Sequence, residues 1–261
     1  MIYARKYGRS PYTVAAVHGG PGAPGSLAPV ARELSRYCGV IEHLESARTV
    51  DGQVRELLDV LREHGQPPVT LIGHSWGAWL IFIFAARYPQ TARKLILVGS
   101  GPFEERYAAG IMDTRLARLS EEEKQQARAL IASLQSPGAT NRTTLFSLYG
   151  ALMSKADAFD PLPGDRDDIV EFQENVYQEV WLEAMRLRQT RGLMALAKDI
   201  RCPVVAIHGD YDPHPAEGVK EPLGRALKDF RFVLLEKCGH EPWKERAAAA
   251  RFYEILREEL K

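Results

Sequence analysis

The amino-acid sequence predicts an α/β protein built on a mostly parallel, doubly wound sheet, with helices on its faces and one all-helical insertion. Two observations lead to this fold class. Short apolar runs alternate with segments of helical periodicity, which is the pattern of parallel strands joined by helical crossovers. The alternation stops after residue 98 and resumes only at residue 204. The apolar runs that we interpret as strands are 13–17, 40–42, 69–72, 95–98, 204–207 and 232–235.

Helical patterns fill the spaces between these runs. Val54, Leu57 and Leu61 recur at helical spacing and make one apolar face. Gly65 and the two prolines that follow it then stop that helix. A short N-terminal β-hairpin is expected around residues 2–7.

Residues 103–197 contain amphipathic helices and no convincing strand. Ser120 and Glu123 form a capping box in front of a helix over 121–134, and a second long periodic stretch covers 169–191. An all-helical segment between two strands of one sheet is best explained as a cap, or lid, over one edge of that sheet. The predicted domains are a core of residues 1–102 and 198–261 and a helical cap of residues 103–197, inserted after the sixth core strand.

The pentapeptide Gly73-His74-Ser75-Trp76-Gly77 places a serine between two glycines, directly after the run 69–72 and before a helix over 78–88. A serine on so tight a strand-to-helix turn is held with its hydroxyl pointing out of the fold, and glycine lets the backbone turn that sharply. This is the geometry of a nucleophile. The pattern also occurs by chance in glycine-rich turns, so its meaning depends on its companions.

The first companion is the loop His18-Gly19-Gly20-Pro21-Gly22, which follows the run 13–17. Its glycines leave backbone N–H groups free to point into a cavity. An acyl-transfer site needs about two fixed donors for the negative charge that develops on the substrate oxygen. The N–H groups of Gly20 and Trp76 are the candidates for this oxyanion hole. The plain alternative is a loop that only joins a strand to a helix.

An acid and a base are expected on the last two strand-end loops. Asp212 follows the run 204–207 and is the favoured acid, with Asp210 and the pair at 104–105 as alternatives. His240 follows the run 232–235 and is the favoured base, with His214 as its rival. Pro242 is predicted to open the final helix.

The other histidines have plainer interpretations. His18 and His208 stand at strand ends, where a ring bonded to backbone is expected, and His74 is expected to point away from Ser75. His43 and His64 lie among polar residues and are expected at the surface.

Composition excludes several other function classes. The 34 basic and 34 acidic residues cancel, so no surplus of charge points to nucleic acid or to an anionic membrane. Charge interrupts the N-terminus before any signal-like stretch, and the run 79–86 is too short to span a bilayer. Cys38, Cys202 and Cys238 lack C-x-x-C spacing and are expected to be buried free thiols. These features predict a cytoplasmic protein without a metal site.

The chain order Ser75, Asp212, His240, with the serine on a G-x-S-x-G turn, resembles that of the α/β-hydrolase superfamily over nearly the whole chain. The pairing of the HGGPG loop with the GHSWG turn resembles the proline iminopeptidase branch and related capped hydrolases. His18, Gly19, Gly73 and Gly77 belong to these motifs. The resemblance implies the α/β-hydrolase fold.

The roles of these residues predict a serine hydrolase. His240, oriented by Asp212, takes the proton of Ser75 as the serine attacks an ester, amide or thioester carbonyl, and water later releases the acyl group. No cofactor is required, and the expected partner is a small molecule or a short peptide. The alternatives are a proline iminopeptidase-like aminopeptidase, an acyltransferase, C–C hydrolase or lyase on the same triad, and a slow or non-catalytic ligand-binding or signalling protein.

Specificity is expected to come from the cap. Its aromatic side chains could line an apolar pocket, although aromatic residues on such helices more often serve packing. An aminopeptidase would also need a carboxylate in the cap to hold the substrate's amino group. The aromatic candidates are Tyr107, Phe146, Tyr149, Phe172, Tyr177 and Trp181, and the acidic candidates are Glu104, Glu105, Glu171, Glu174 and Glu179.

Overall fold

The computed structural model describes residues 4–136, 141–163, 170 and 172–261. The strands among these residues are β1 (Ala4–Tyr7), β2 (Tyr12–Val17), β3 (Gly39–His43), β4 (Val69–His74), β5 (Ala92–Val98), β6 (Val204–Gly209) and β7 (Phe230–Leu235). They form one sheet in the order β1-β3-β2-β4-β5-β6-β7. Every neighbouring pair is parallel except β1 with β3. The predicted mostly parallel α/β fold is therefore confirmed, and each of the six predicted strands is present and slightly longer than expected.

The described α-helices are α1 (Ala28–Leu34), α2 (Val50–His64), α3 (Trp76–Arg87), α4 (Ile111–Ala117), α5 (Glu121–Gln135), α6 (Arg142–Asp157), α7 (Glu174–Gln189), α8 (Gly192–Ala195), α9 (Glu217–Ala226) and α10 (Ala249–Glu259). None of these helices combines the length and the apolar character that crossing a membrane requires.

Side chains alternate across the sheet and so bury two separate hydrophobic layers. In β2, Ala15 and Val17 pack in the layer that contains the apolar faces of α2, α3 and α9. Val14 and Ala16, on the opposite face of the same strand, pack with α1 and α10. Because both faces are covered, the central strands β4 and β6 are buried along their whole length.

The predicted insertion, residues 103–197, lies between β5 and β6, and its described part contains α4 to α8. No strand is found in the described part of the insertion, apart from an isolated bridge between Pro161 and Glu245. The capping box at Ser120 and Glu123 is confirmed. The helix predicted over 169–191 begins at Glu174, and residues 169 and 171 lie outside the described residues.

Three predictions about the core are wrong. Five described strands, not six, precede the insertion, because residues 4–7 form a single strand that pairs with β3 rather than a hairpin. Pro242 begins a one-turn 3-10 helix, Pro242–Lys244, and the final helix starts at Ala249. His43 is fully buried rather than exposed, since β3 is an inner strand covered on both faces.

The predicted free thiols are present, but they differ in burial. Cys238 is buried, whereas Cys38 and Cys202 are only partly buried.

Candidate active site

Ser75 lies on the sharp turn between β4 and α3. Its φ of 53° and ψ of −112° lie outside the regions that L-residues normally occupy, and such strain persists only where the surroundings enforce it. A Cβ on Gly73 would collide with the carbonyl of Gly77, and a Cβ on Gly77 would collide with that of Val17. The two glycines therefore permit the close packing that holds the turn. The Ser75 N–H donates to Val98 O at 3.0 Å, which ties the turn to β5.

The glycine loop after β2 packs directly against this turn. A Cβ on Gly19 would lie 3.0 Å from Ser75 Cβ and 2.9 Å from His74 Nδ1. Gly20 has a φ of 77°, a conformation that favours glycine. Trp76 is the first residue of α3, where backbone N–H groups have no partner inside the helix. The two expected oxyanion donors thus stand on two segments that pack against each other at Ser75.

His18 supports the glycine loop from within the protein. Its ring is fully buried, with Nδ1 3.0 Å from Gly19 O, and its Nε2 accepts a hydrogen bond from Glu45 N at 3.2 Å. Burial lowers the pKa of His18 to about 3. The ring is therefore neutral and bonded to backbone, as its sequence position predicted.

The indole of Trp76 is fixed by two polar side chains that the sequence analysis did not identify. Its Nε1 donates to Gln53 Oε1 at 2.8 Å and to Glu45 Oε2 at 3.2 Å. Burial raises the pKa of Glu45 well above its usual range, because the ionised form loses its solvation there. Gln53 shares the apolar face of α2 with Val54 and Leu57. A polar residue on the otherwise apolar face of α2 was the sequence signal that could have identified Gln53.

Asp212 and His240 meet at the same edge of the sheet. Asp212 lies on the loop after β6 and His240 on the loop after β7, and His240 Nδ1 is 2.7 Å from Asp212 Oδ2. Asp210 instead accepts a hydrogen bond from Cys238 N at 3.1 Å.

The two acids on the loop after β5 also have other partners. Glu104 pairs with Arg106 and Arg225, and Glu105 pairs with Arg188. Among the four candidate acids, Asp212 is the one that contacts His240 within the described residues.

His214 also binds Asp212. Asp212 Oδ1 accepts the backbone N–H of His214 at 2.9 Å and lies 2.7 Å from its Nδ1. The carbonyl of His214 lies 2.7 Å from Nε2 of His208, which holds the loop in place. Asp212 therefore stands between two imidazoles, whose ring centroids are 4.6 Å apart.

The two imidazoles differ in basicity. Burial lowers the pKa of His214 to about 4, although Asp212 opposes this effect. Burial also acts to lower the pKa of His240, but the charge of Asp212 and its hydrogen bond outweigh it, and the pKa of His240 is raised above 6.5. Burial by itself would raise the pKa of Asp212, yet the surrounding histidines hold it well below its usual range. Asp212 is therefore ionised, and the stronger base beside it is His240.

The backbone of His240 is held from two sides. His74 Nε2 is 3.1 Å from His240 O, and burial lowers the pKa of His74 well below its usual range. On the other side, His240 N donates at 2.9 Å to the carbonyl of Asp157, the last residue of α6. A carbonyl at a helix end has no partner inside the helix, so this bond satisfies it.

Glu245 joins the same loop to the insertion. It is fully buried, and Oε1 accepts the N–H of Gly239 at 2.9 Å and that of Phe159 at 2.8 Å. Oε2 accepts the N–H of Asp160 at 2.8 Å. One carboxylate therefore binds the residue before His240 and two residues that follow α6. Nothing in the local sequence marked this residue as special.

Two cavities open at Ser75. The large cavity has a volume of 860 Å³ and is also lined by Gly20, His240 and residues at the end of α6. The small cavity has a volume of 200 Å³ and runs between the core and the insertion. The small cavity is lined by Ser75, Trp76, Trp79, Gly101, Pro102, Ala108, Ile111, Met112, Arg115, Trp181, Met185, Arg188 and His214.

The aromatic residues expected in the pocket divide into two groups. Tyr177 lines the large cavity and Trp181 lines both cavities. Tyr107, Phe146 and Tyr149 line neither cavity, which corrects the prediction for them.

Each of these three aromatic residues has a partner away from the two cavities or on the insertion itself. The Tyr107 hydroxyl bonds Glu221, Phe146 packs on Phe172 and Tyr177, and Tyr149 joins a small hydrophobic cluster around Met153. Spacing on a helix could not show which aromatic side chains would meet the core.

Within the described residues, one group of side chains could hold a metal ion. The ligand atoms of Asp212, His214 and His240 lie within 4.8 Å of one another. Each oxygen of Asp212 already contacts a histidine nitrogen at 2.7 Å. A metal would have to displace both of these contacts, so the donor set fits a hydrogen-bonded triad better than a metal site.

Comparisons with known proteins identify similar chains. The pimeloyl-[acyl-carrier protein] methyl ester esterase of Chromobacterium violaceum is 26% identical over 249 residues, covering 93% of this chain and 92% of that relative. The crystal structure of VinJ is similar with a TM-score of 0.73 at 21% identity, covering 98% of this chain and 93% of that one. A thermophilic esterase from Thermogutta terrifontis has a TM-score of 0.65 at 20% identity, covering 98% and 92%. The structural likenesses establish the fold.

The sequence itself establishes the family. Residues 20–247, well over half of the chain, match the family described as alpha/beta hydrolase fold. The matched range contains the serine turn, the Asp212 loop and His240. This chain belongs to the alpha/beta hydrolase fold family.

Proposed function

We propose that this protein is a serine hydrolase that cleaves a carboxylic ester or thioester through an acyl-enzyme on Ser75. The observation that carries the proposal is the 2.7 Å contact between Asp212 and His240, at the same edge of the sheet as the strained serine turn. A nucleophile, a base and a group that orients the base are the three parts that such catalysis needs.

The reaction would proceed in two halves. His240 takes the proton of Ser75 as the serine oxygen attacks the substrate carbonyl, and Asp212 stabilises the imidazolium that forms. The N–H groups of Gly20 and Trp76 bind the oxyanion, where losing one such donor typically costs about 10²–10³ in rate. His240 then protonates the leaving group, and water activated by the same imidazole releases the acid.

His240 suits the role of base better than His214 does. A general base works best when its pKa lies near the operating pH. The pKa of His240 is raised above 6.5, whereas that of His214 is lowered to about 4. His214 is then a neutral donor to Asp212, which supports the carboxylate without competing for the proton.

We assign residues 103–197 to a cap over a core of residues 1–102 and 198–261. Support comes from the walls of the small cavity. Ser75 and Trp76 of the core face Arg115, Trp181 and Met185 of the insertion across it. The cap therefore decides which substrates reach the serine.

An aminopeptidase activity fits this site less well. The cap acids Glu104, Glu105, Glu174 and Glu179 are each paired with an arginine, and Glu171 lies outside the described residues. No carboxylate of the described residues lines the small cavity.

The acids of the large cavity are occupied as well. Asp157 forms a bidentate pair with Arg115, Glu241 pairs with Lys244, and Glu245 accepts three backbone N–H groups. A substrate ammonium group would have to break one of these arrangements. An ester or thioester needs no such partner.

Labelling with a fluorophosphonate tests the proposal. The folded protein should react at Ser75, and a Ser75→Ala variant should not. Hydrolysis of p-nitrophenyl butyrate should exceed hydrolysis of prolyl-naphthylamide, because the cavities offer cations rather than a free carboxylate. Equal labelling of the Ser75→Ala variant, or activity confined to the prolyl amide, would overturn the proposal.

A further inference from the structure

The small cavity is apolar along its walls and cationic at its charged positions. Trp76, Trp79 and Trp181 supply aromatic surface, and Trp79 and Trp181 are stacked with an interplanar angle of 9°. Its charged lining residues are Arg115 and Arg188, and no described acidic residue lines it. A ligand that fills this cavity therefore meets both aromatic surface and positive charge.

The two arginines differ in how their charge is satisfied. Arg115 donates from Nε and Nη2 to both oxygens of Asp157, at 2.7 and 2.6 Å. Both side chains of that pair are largely buried, so Arg115 is compensated in place.

Arg188 is compensated much less completely. Its side chain is 7% exposed, and its hydrogen bond, from Nε to Glu105 Oε2 at 2.6 Å, goes to a side chain that is 47% exposed. Within the described residues its two terminal nitrogens make no hydrogen bond, and the guanidinium lies 5.5 Å from the ring of Trp79. A buried guanidinium with two free donors is a binding site for a carboxylate, which accepts such donors in parallel.

The small cavity suits the acyl part of a substrate rather than its leaving group. The leaving group must depart and water must enter while the acyl group stays on Ser75. The large cavity is bordered by Lys155 and Lys244, whose side chains are 63% and 42% exposed, so it opens to solvent. The small cavity is bordered mainly by buried and half-buried side chains. Its volume of 200 Å³, against 860 Å³ for the large cavity, favours a short acyl chain.

We infer that the small cavity binds a short acyl chain that ends in a carboxylate, and that Arg188 binds this carboxylate. The substrate class is then a half ester or half thioester of a short dicarboxylic acid. This inference rests on the proposed function, because it assumes that the acyl group is attached to Ser75. It makes Arg188 a specificity-determining residue.

The test compares two substrates that differ only at the far end. Mono-p-nitrophenyl adipate carries a free carboxylate, and methyl p-nitrophenyl adipate carries a neutral ester there. The wild-type protein should have the higher kcat/KM for the free acid. Arg188→Met should lower the ratio of the two kcat/KM values about 10- to 100-fold, the range that a charge-assisted hydrogen bond produces.

Two further variants separate recognition from folding. Arg186→Met alters an exposed arginine of the same helix and should leave the ratio as in the wild type. Glu105→Gln removes the charge that competes for Arg188 and should raise the ratio. Opposite effects of Glu105→Gln and Arg188→Met would not arise from a loss of stability alone. A binding measurement in Ser75→Ala gives a second readout, because adipate should bind more weakly when Arg188→Met is added.

The outcomes distinguish this inference from the proposed function. If both adipate esters are cleaved at Ser75 but the ratio favours the neutral ester, or is the same in Arg188→Met, the inference is wrong and the hydrolase proposal stands. If neither ester is cleaved and the fluorophosphonate does not label Ser75, the proposed function itself fails.

Discussion

Replacing Glu245 by glutamine removes one of the three hydrogen bonds that this side chain accepts. The amide oxygen can keep the N–H groups of Gly239 and Phe159, while its NH₂ group then faces the N–H of Asp160. A fully buried N–H left without an acceptor costs about 1–3 kcal/mol, and the bond to Asp160, an exposed residue, is only partly buried. Glu245→Gln should therefore lower the free energy of unfolding by about 1 kcal/mol, which is compatible with a folded protein.

The effect on activity should exceed the effect expected from lost stability. Gly239 precedes His240, so loosening its anchor lets the imidazole move relative to Ser75. We expect kcat for p-nitrophenyl butyrate to fall about tenfold with little change in KM, because a base displaced from its productive position slows chemistry rather than binding. Glu245→Ala removes the acceptor of all three N–H groups, so it should destabilise the fold more than Glu245→Gln does.

Urea unfolding followed by tryptophan fluorescence measures the change in stability, and steady-state kinetics in the native baseline measures the change in rate. The rate of fluorophosphonate labelling should fall together with kcat, because it also depends on His240. Arg246→Gln, next to Glu245 and 58% exposed, is the matched control and should change neither quantity appreciably. If Glu245→Gln lowers stability but keeps the labelling rate and kcat of the wild type, Glu245 does not position the base and the reasoning is refuted.

The remaining predictions concern the acid, the base and the absence of a metal. His240→Ala should lower kcat/KM to the level of Ser75→Ala. His214→Ala should lower kcat/KM by less than about tenfold, because this variant removes one hydrogen bond to Asp212. The reverse order of the two effects would identify His214 as the base. The kcat/KM of the wild type should rise with pH through a midpoint above 6.5, since the raised pKa of His240 keeps the imidazole protonated, and unable to accept a proton, up to a higher pH. Asp212→Asn removes the charge that raises this pKa, so the midpoint should move to lower pH; a midpoint that stays in place would contradict the assignment. Dialysis against EDTA should leave activity intact, and loss of activity with recovery on adding Zn²⁺ would show that Asp212, His214 and His240 hold a metal.

The parts of the site that the sequence predicted are those encoded by short local patterns. The serine turn depends on two glycines within five residues. Four of the six predicted strands, β2, β4, β6 and β7, are followed within a few residues by a residue expected to act at the site. The capping box at Ser120 is equally local, because Glu123 is one helical turn away. Such features can be found without knowing which segments meet in space.

The parts that the sequence did not predict depend on contacts between distant segments. Glu245 binds residues 85 and 86 positions earlier in the chain, and Glu45 binds the indole of Trp76 across 31 positions. Arg188 contacts Glu105 across 83 positions. Each lies among other charged residues in the sequence, where a solvated side chain is the ordinary expectation. Only the fold reveals that these particular side chains are buried.

The hydrogen bond between His240 N and the carbonyl of Asp157 connects the loop that carries the base to the insertion. The segment after α6 is part of the insertion, and it holds the base through this bond and through Glu245. A movement of that segment would therefore also shift the backbone of His240. The position of the base and the shape of the large cavity beside the end of α6 thus depend on the same few contacts.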